Sequence, residues 1–230
     1  MISDLHANLP ALEAVLDAEP FDRLLIGGDL VSYGPHPREV IDLVRRSATA
    51  AVRGNHDDAL ARRVDCRCSP WSRPLAEATL AVHRELLSND DLTFLGSLPL
   101  TVSLREGDVT FFVVHASPGD HLYSYALTPT ASADRLRTEV ESVSADCIVL
   151  GHTHLPMVRS VGAQVVVNPG SAGQPRDGDP GASYAVLHDG EAMLRRVAYD
   201  VDRTIRDLRA LQMDPLVADR LAAILRSGET

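Results

Sequence analysis

Hydrophobic positions in this chain follow two rhythms. Short continuous runs of Val, Ile, Leu and Phe recur, and each ends abruptly in a polar cluster: "LLIGGD" (24–29), "AVRGNHD" (51–57), "TFFVVHA" (110–116), "CIVLGHTH" (147–154) and "QVVVNPG" (164–170). Runs of this length read as buried strands. "MISDLH" at the N-terminus fits as a sixth if its first residues form a very short strand. Between the early runs the spacing is helical. "NLPALEAVLDA" puts Leu9, Leu12, Val15 and Leu16 on one face, and "HPREVIDLVRR" does the same with Val40, Ile41 and Val44. Pro10 and Pro37 sit where a first helical turn tolerates proline.

Strand alternating with helix predicts βαβ units over the first half. From about residue 98 to 115, and again from 157 to 198, strand-like runs follow one another with little helix between, and "HDG" before Glu191 predicts a hairpin turn. Residues 69–97 read as a helical insertion, with Leu75, Leu80, Val82, Leu86 and Leu87 mostly toward one side. The tail, about 201–226, reads as two helices broken at "MDPL", where Asp214 caps and Pro215 opens the second. Two packed sheets with helices outside accommodate both halves, and one domain over residues 1–230 is the expectation.

Composition narrows the partners. A net charge of −10 opposes non-specific attraction to nucleic acid, so a phosphate-bearing substrate would need bound cations to attract it. The basic residues are all arginine, which excludes lysine chemistry. No stretch reaches the roughly 20 apolar residues of a membrane span, and no charged leader precedes an apolar segment, so a soluble, cytoplasmic, reducing setting is expected. Three cysteines with no CxxC pair predict neither a disulfide framework nor a structural zinc site, and Cys66 and Cys68 read as loop residues at the surface, with a redox or metal pair as the alternative.

The polar clusters carry the chemistry. In α/β architectures ligands bind at the carboxyl ends of strands. Asp4, His6, Asp29, Asn55, His115, His152 and His154 would therefore converge on one edge as oxygen and imidazole donors without a thiolate. That set suits manganese, iron or zinc and exceeds what one tetrahedral ion needs, so two metals are the economical inference. If the local backbone is extended, residues i and i+2 project to one side about 7 Å apart, letting Asp4 grip with His6 and His152 with His154. Ions held about 3.5 to 4 Å apart need a bridging carboxylate, and Asp29 is the candidate.

These motifs, "DLH" (4–6), "GGDLVSYG" (27–34), "RGNHDD" (53–58), "VVHASP" (113–118) and "GHTH" (151–154), resemble the calcineurin-like metallophosphoesterase family in order and spacing over about the first two thirds of the chain. "YGPHP" and "NPGS" (168–171) are similar to its small prokaryotic phosphodiesterase branch. The resemblance implies a four-layer α/β/β/α sandwich of two mixed β-sheets flanked by helices. It implies one metal on Asp4, His6 and His154, a second on Asn55, His115 and His152, and Asp29 bridging. It further implies that a metal-bridging hydroxide attacks a phosphoester in line while His56 protonates the leaving oxygen. The cofactors would be two divalent ions, manganese first, with iron, zinc, nickel or cobalt as alternatives.

The expected function is thus a metal-dependent phosphodiesterase acting on a small-molecule phosphoester. A phosphomonoesterase or nucleotide pyrophosphohydrolase with the same centre is the alternative, and a metal-bound scaffold without turnover comes from a different class. Association into a homo-oligomer stays open. Where protein phosphatases of the family continue Val-Asp-Arg-Gly after the bridging aspartate, this chain has Ser32 and Tyr33, which argues against protein phosphatase activity and leaves His56 without an identified partner. Tyr33 is expected to line the substrate pocket. Only Met1, Ile2 and Ser3 precede the first donor, so either the first strand is clipped or the natural start lies upstream, a choice that intact-mass measurement of the native protein would make. His36, His83, His121 and His188 read as ordinary, with His83 on the exposed side of its helix. Arg53 and Arg176 read as surface ion-pair residues, with a hold on phosphate as the alternative, and Asp57 and Asp58 as helix caps or loop-orienting groups. Residues 117–132, rich in turn formers and holding two tyrosines, read as a substrate-facing loop or a partner surface.

Overall fold

A computed structural model describes residues 1–230. In chain order the elements are α1 (Leu9–Ala18), β1 (Leu25–Ile26), α2 (Pro37–Ser47), β2 (Ala50–Ala51), α3 (Asn55–Arg62), α4 (Arg73–Leu86), α5 (Asn89–Ser97), β3 (Thr101–Glu106), β4 (Val109–Val114), α6 (Ala133–Val140), β5 (Cys147–Val149), β6 (Met157–Val161), β7 (Gln164–Asn168), β8 (Ala182–His188), β9 (Glu191–Val197), α7 (Val201–Ala210) and α8 (Pro215–Ser227). The anticipated Asp214 cap and first-turn prolines are in place. Asn8 accepts the Ala11 N–H at the start of α1, Asp214 accepts the Leu216 N–H, and Pro10, Pro37 and Pro215 each sit in a first turn.

Five strands form one sheet in the order β3-β4-β5-β7-β6, parallel through its centre and antiparallel at both edges. The other sheet is joined through the N-terminus. Ile2 bridges Ile26 of β1 in parallel, β1 pairs β2, and Met1 exchanges backbone hydrogen bonds of 2.8 and 2.9 Å with Ala185 of β8. The first strand is thus reduced to a single bridge wedged between β1 and the β8–β9 hairpin. That hairpin turns at Asp189 and Gly190, both at positive φ, as a two-residue turn between right-twisted strands requires.

Alternation along the central strands makes the layers. Phe111, Val113, Cys147, Val149 and Val167 point to one side, where they meet Leu25, Val52 and Ala185 of the other sheet. Val114, Ile148 and Val166 point to the opposite side and pack against Leu136 and Val140 of α6. The outer face of the N-terminal sheet is covered by α1, α2, α4, α7 and α8 through Leu12, Val15, Val40, Ile41, Leu75, Leu208 and Leu221. The order is therefore helices, sheet, sheet, helix, the four-layer arrangement the motifs implied. No helix is long and apolar enough to cross a membrane.

The 69–97 segment resolves into two helices, and α4 departs from expectation on one residue. His83 is fully buried, as is Thr79 one turn earlier, while Leu86 is 38% exposed. Both polar residues lie inside the stripe Leu75, Thr79, His83, Leu87 because both have partners in the loop after β1.

Candidate metal centre

Short strands ending in glycine-bearing loops bring the polar motifs together. Asp4 and His6 follow the Ile2 bridge, Asp29 follows β1, Asn55 and His56 open α3 beyond β2, His115 follows β4, and His152 and His154 follow β5. All eight side chains are buried. The donor-bearing segments are not extended. Asp4, His6, Asp29, His152 and His154 have φ between 43° and 66°, joined by Ala7, Ser32 and Tyr33. The pictured i, i+2 grip from an extended strand is therefore incorrect; each pair is presented by a left-handed turn. Such conformations cost about 1 to 3 kcal/mol per residue and concentrate at functional sites. Close approach also limits side chains: a Cβ at Gly54 would overlap the Asp29 carboxylate.

The hydrogen bonds behind each imidazole determine which atom faces inward. His6 Nδ1 donates to the Val31 carbonyl (2.9 Å), His115 Nδ1 to Gly27 (2.7 Å) and His154 Nδ1 to Gln174 (2.6 Å). A carbonyl only accepts, so in the His6 and His154 rings, which burial keeps neutral, the Nε2 lone pair points into the cluster. There the two lone pairs face each other. His6 Nε2 lies 3.1 Å from His154 Nε2, and His115 Nε2 lies 3.0 Å from Asn55 Oδ1. The Asn55 amide is oriented by its Nδ2 donating to the Cys66 carbonyl (2.8 Å), and His152 Nδ1 is 3.1 Å from the same Asn55 oxygen. Asp29 Oδ2 stands between the two groups, 3.8 Å from His6 Nε2 and 3.4 Å from His115 Nε2, and Asp4 Oδ1 is 3.4 Å from His154 Nε2.

Burial drives His6 and His154 well below the ordinary imidazole range, His152 to about 3 and His56 to about 4, so these rings offer lone pairs rather than charge. Burial opposes charge on Asp29 and on His115 alike, but the two sustain each other as an ion pair: the His115 imidazole is raised to about 9 and the Asp29 carboxyl is held well below the usual range. Converging lone pairs at hydrogen-bond distance, with their protons turned outward, fit divalent cations.

Two braces around the cluster were not read from the sequence. "NPGS" ties the last loop to the first: Asn168 Nδ2 donates to Gly151 O (2.7 Å), and Ser171 Oγ donates to Asp4 O (2.7 Å) while accepting the Gln174 N–H (2.7 Å). On the opposite side, His83 Nδ1 accepts the Ser32 N–H (3.2 Å) and its Nε2 donates to Gly34 O (2.9 Å), with Thr79 Oγ1 accepting the Tyr33 N–H (3.1 Å). Asp57 both caps α3 and orients the Asp29 loop, accepting N–H groups from Gly54, Asp29 and Leu30 at 2.9, 2.9 and 2.8 Å.

A narrow polar pocket opens on the cluster between Tyr33, His56, Cys68, Ser72, Tyr125 and Arg176. Tyr33 is buried with its ring 4.8 Å from that of His6 and 4.9 Å from that of His56. Its hydroxyl lies toward Ser72 without a hydrogen bond of normal geometry. Tyr125, from the 117–132 loop, reaches in until its ring is 4.2 Å from His152. Arg53 is buried and tied to Asp58 (2.9 Å) and Gly96 O (2.6 Å). Arg176 forms no ion pair; it donates to Gln174 Oε1 (2.9 Å) and leaves Nε unpartnered at the pocket. Cys66 and Cys68 are neither exposed nor free, being buried and bonded to each other, with Cys68 Sγ 3.6 Å from His56 Nε2. A cavity of about 600 Å³ lies elsewhere, among Phe21, Leu104, Val109 and Tyr184, and none of the candidate donors lines it.

Inward-facing nitrogen and oxygen acceptors at the carboxyl ends of a two-sheet sandwich define the class as a metallophosphoesterase. Residues 1–191 match the calcineurin-like phosphoesterase superfamily domain, and the chain belongs to that metal-dependent hydrolase family. A metallophosphoesterase crystal structure from Sphaerobacter thermophilus superposes with a TM-score of 0.78 at 34% identity, covering 97% of both chains. An uncharacterized protein of Methanocaldococcus jannaschii, MJ0912, is 28% identical over 96% of each sequence. The phosphodiesterase YfcE of Escherichia coli K12 is 27% identical over 80% of this chain and 84% of its own.

Proposed function

We propose that the protein is a phosphodiesterase with a dinuclear metal centre. Asp4, His6 and His154 would hold one ion, Asn55, His115 and His152 the other, with Asp29 between them. The observation that carries this is the confrontation of two unprotonated acceptors, His6 Nε2 and His154 Nε2, each with its proton committed to a carbonyl behind it, beside the Asp29 carboxylate. Manganese is the first choice for this harder oxygen and imidazole set. Bound divalent cations supply Lewis acidity toward water and toward the phosphoryl oxygens.

The chain's own residues supply the remainder. His56 stands at the pocket with Nδ1 free of partners and its backbone N–H fixed by Asp29 Oδ1 (2.9 Å); burial keeps the ring neutral, and an anionic phosphate beside it would favour the protonated form that gives a leaving alkoxide its proton. Arg176 Nε and the Tyr33 hydroxyl, both without partners, are donors for non-bridging phosphate oxygens. The diester preference rests on the YfcE relative.

Hydrolysis of bis-p-nitrophenyl phosphate against p-nitrophenyl phosphate by manganese-reconstituted protein tests the reading. The diester should be preferred. His56→Ala should slow it by about 10² to 10⁴ with manganese still bound, and Asp29→Asn should lose both metal and turnover. Activity unchanged in either variant would place the chemistry elsewhere, and no hydrolysis with two manganese ions bound would count against a phosphodiesterase.

A further inference from the structure

The segment after α3 doubles back on that helix's own start. Arg63 and Arg67 adopt φ of 58° and 53°, and these two left-handed residues turn the chain so that Cys66 and Cys68 meet Asn55 and His56. The two cysteine Cα atoms are 5.4 Å apart, within the span a disulfide needs. A crosslink between residues two apart closes so short a loop that it removes little entropy from the unfolded chain. It is a weak staple, and in proteins of reducing compartments such pairs are transient or redox-sensing.

The surroundings suggest what the opened pair would hold. His56 Nε2, Cys66 Sγ and Cys68 Sγ lie within 4.8 Å of one another, all buried. With bond lengths of about 2.3 Å to sulfur and 2.0 Å to nitrogen, a tetrahedral zinc ion has a sulfur–nitrogen edge of about 3.5 Å. The Cys68–His56 separation of 3.6 Å already meets that edge. The sulfur–sulfur edge, about 3.8 Å, requires only that the S–S bond be opened. Two thiolates and an imidazole form a soft set, unlike the oxygen and imidazole donors around Asp29.

We propose that Cys66, Cys68 and His56 form a redox-gated site for one thiophilic divalent cation of the zinc type, separate from the Asp29 centre. In the disulfide form the site is closed. A dithiol reductant opens it by attacking one sulfur, forming a mixed disulfide that its second thiol then resolves; two electrons and two protons end as two S–H groups and the reductant leaves as its own disulfide. The cation displaces both thiol protons to water and takes the Nε2 lone pair of His56. Turnover then stops because His56 is engaged, a consequence that rests on the general-acid role given above, whereas the cation site does not.

The test uses full-length, manganese-loaded protein, reduced with a dithiol, freed of reductant under anaerobic conditions and titrated with Co²⁺. A thiolate-to-cobalt charge-transfer absorption saturating at one equivalent is expected in the reduced protein. It should be absent from the oxidised protein and from a Cys66→Ser, Cys68→Ser variant whose retained manganese stoichiometry shows it folded. In parallel, Zn²⁺ should slow diester hydrolysis by roughly 10² or more in reduced wild type, and leave the variant at its own zinc-free rate. No absorption in the reduced protein, or equal absorption in the oxidised form, overturns the site. Absorption without loss of turnover overturns the engagement of His56. Because the absorption is read without turnover, failure of the phosphodiesterase reading would leave it unchanged.

Discussion

The centre has two flanks, and they are braced in opposite ways. On the Asp4, His6 and His154 flank the supports are backbone carbonyls of the neighbouring loops, Val31 O and Gln174 O, with Ser171 Oγ locking the Asp4 carbonyl. On the Tyr33 and His56 flank the supports are side chains from elsewhere: His83 and Thr79 on α4, and the Cys66–Cys68 loop. The first flank is a property of the strand ends themselves. The second is assembled from side chains of α4, a helix that also packs Leu75 into the core over the N-terminal sheet, and from the loop after α3.

If that division holds, damage to the first flank should appear in metal affinity. Ser171→Ala removes the bond to Asp4 O and the acceptor of the Gln174 N–H, whose own carbonyl orients His154. Loss of such outer contacts typically weakens metal binding 10- to 100-fold. Calorimetric titration with Mn²⁺ should show one of two sites weakened by about that factor, with the fold intact; equal weakening of both would erase the distinction between flanks.

Legibility in the sequence follows the same line. Each donor of the first flank, and Asn55 and His115 too, follows an apolar run that names its strand, so their convergence could be read from position alone. The left-handed turns carrying them could not, because Asp4, His6, His152 and His154 occupy conformations that a strand-end reading assigns to glycine. On α4 the misreading has a different origin. Leu75, Thr79, His83 and Leu87 recur at a four-residue spacing, an inward stripe by periodicity, yet treating the polar members as solvent-facing turned His83 outward. For the cysteines no periodicity exists to read. Their pairing depends on two arginines adopting positive φ, which nothing in residue type announces.

Damage to the second flank should appear in stability, with a pH dependence. His83 accepts with Nδ1 and donates with Nε2, which only the neutral ring can do, and burial lowers it to about 4. Its folded value lies below the unfolded value of about 6.5, so the unfolded chain binds more protons between those limits and wild-type stability falls as pH drops through that window. His83→Gln, which does not titrate, should cost about 1 to 3 kcal/mol at pH 7. Lowering the pH to 5 should narrow the gap by about 2 kcal/mol, from roughly 1.4 kcal/mol per unit over the 1.5 units below 6.5. Chelator-treated samples of both proteins, melted at the two pH values, give the comparison. A gap that stays constant would mean that His83 is not held neutral.

The smallest effect tests whether the second flank touches substrate at all. The Tyr33 hydroxyl is buried and lacks a normal hydrogen bond, so removing it should not destabilise the fold; Tyr33→Phe is expected to match or exceed wild-type stability by up to about 1 kcal/mol. A hydroxyl left unpaired at a pocket facing His56 has its use in the complex. Donation to a phosphate oxygen is worth about 1.5 kcal/mol or more, so KM for the diester should rise about tenfold with kcat little changed, as for an interaction made equally in ground and transition states. A fall in kcat at constant KM would instead mean that the hydroxyl acts only as charge develops. Unchanged kinetics would remove Tyr33 from the substrate site and leave Arg176, across the pocket, as the one unpaired donor available to a phosphate there.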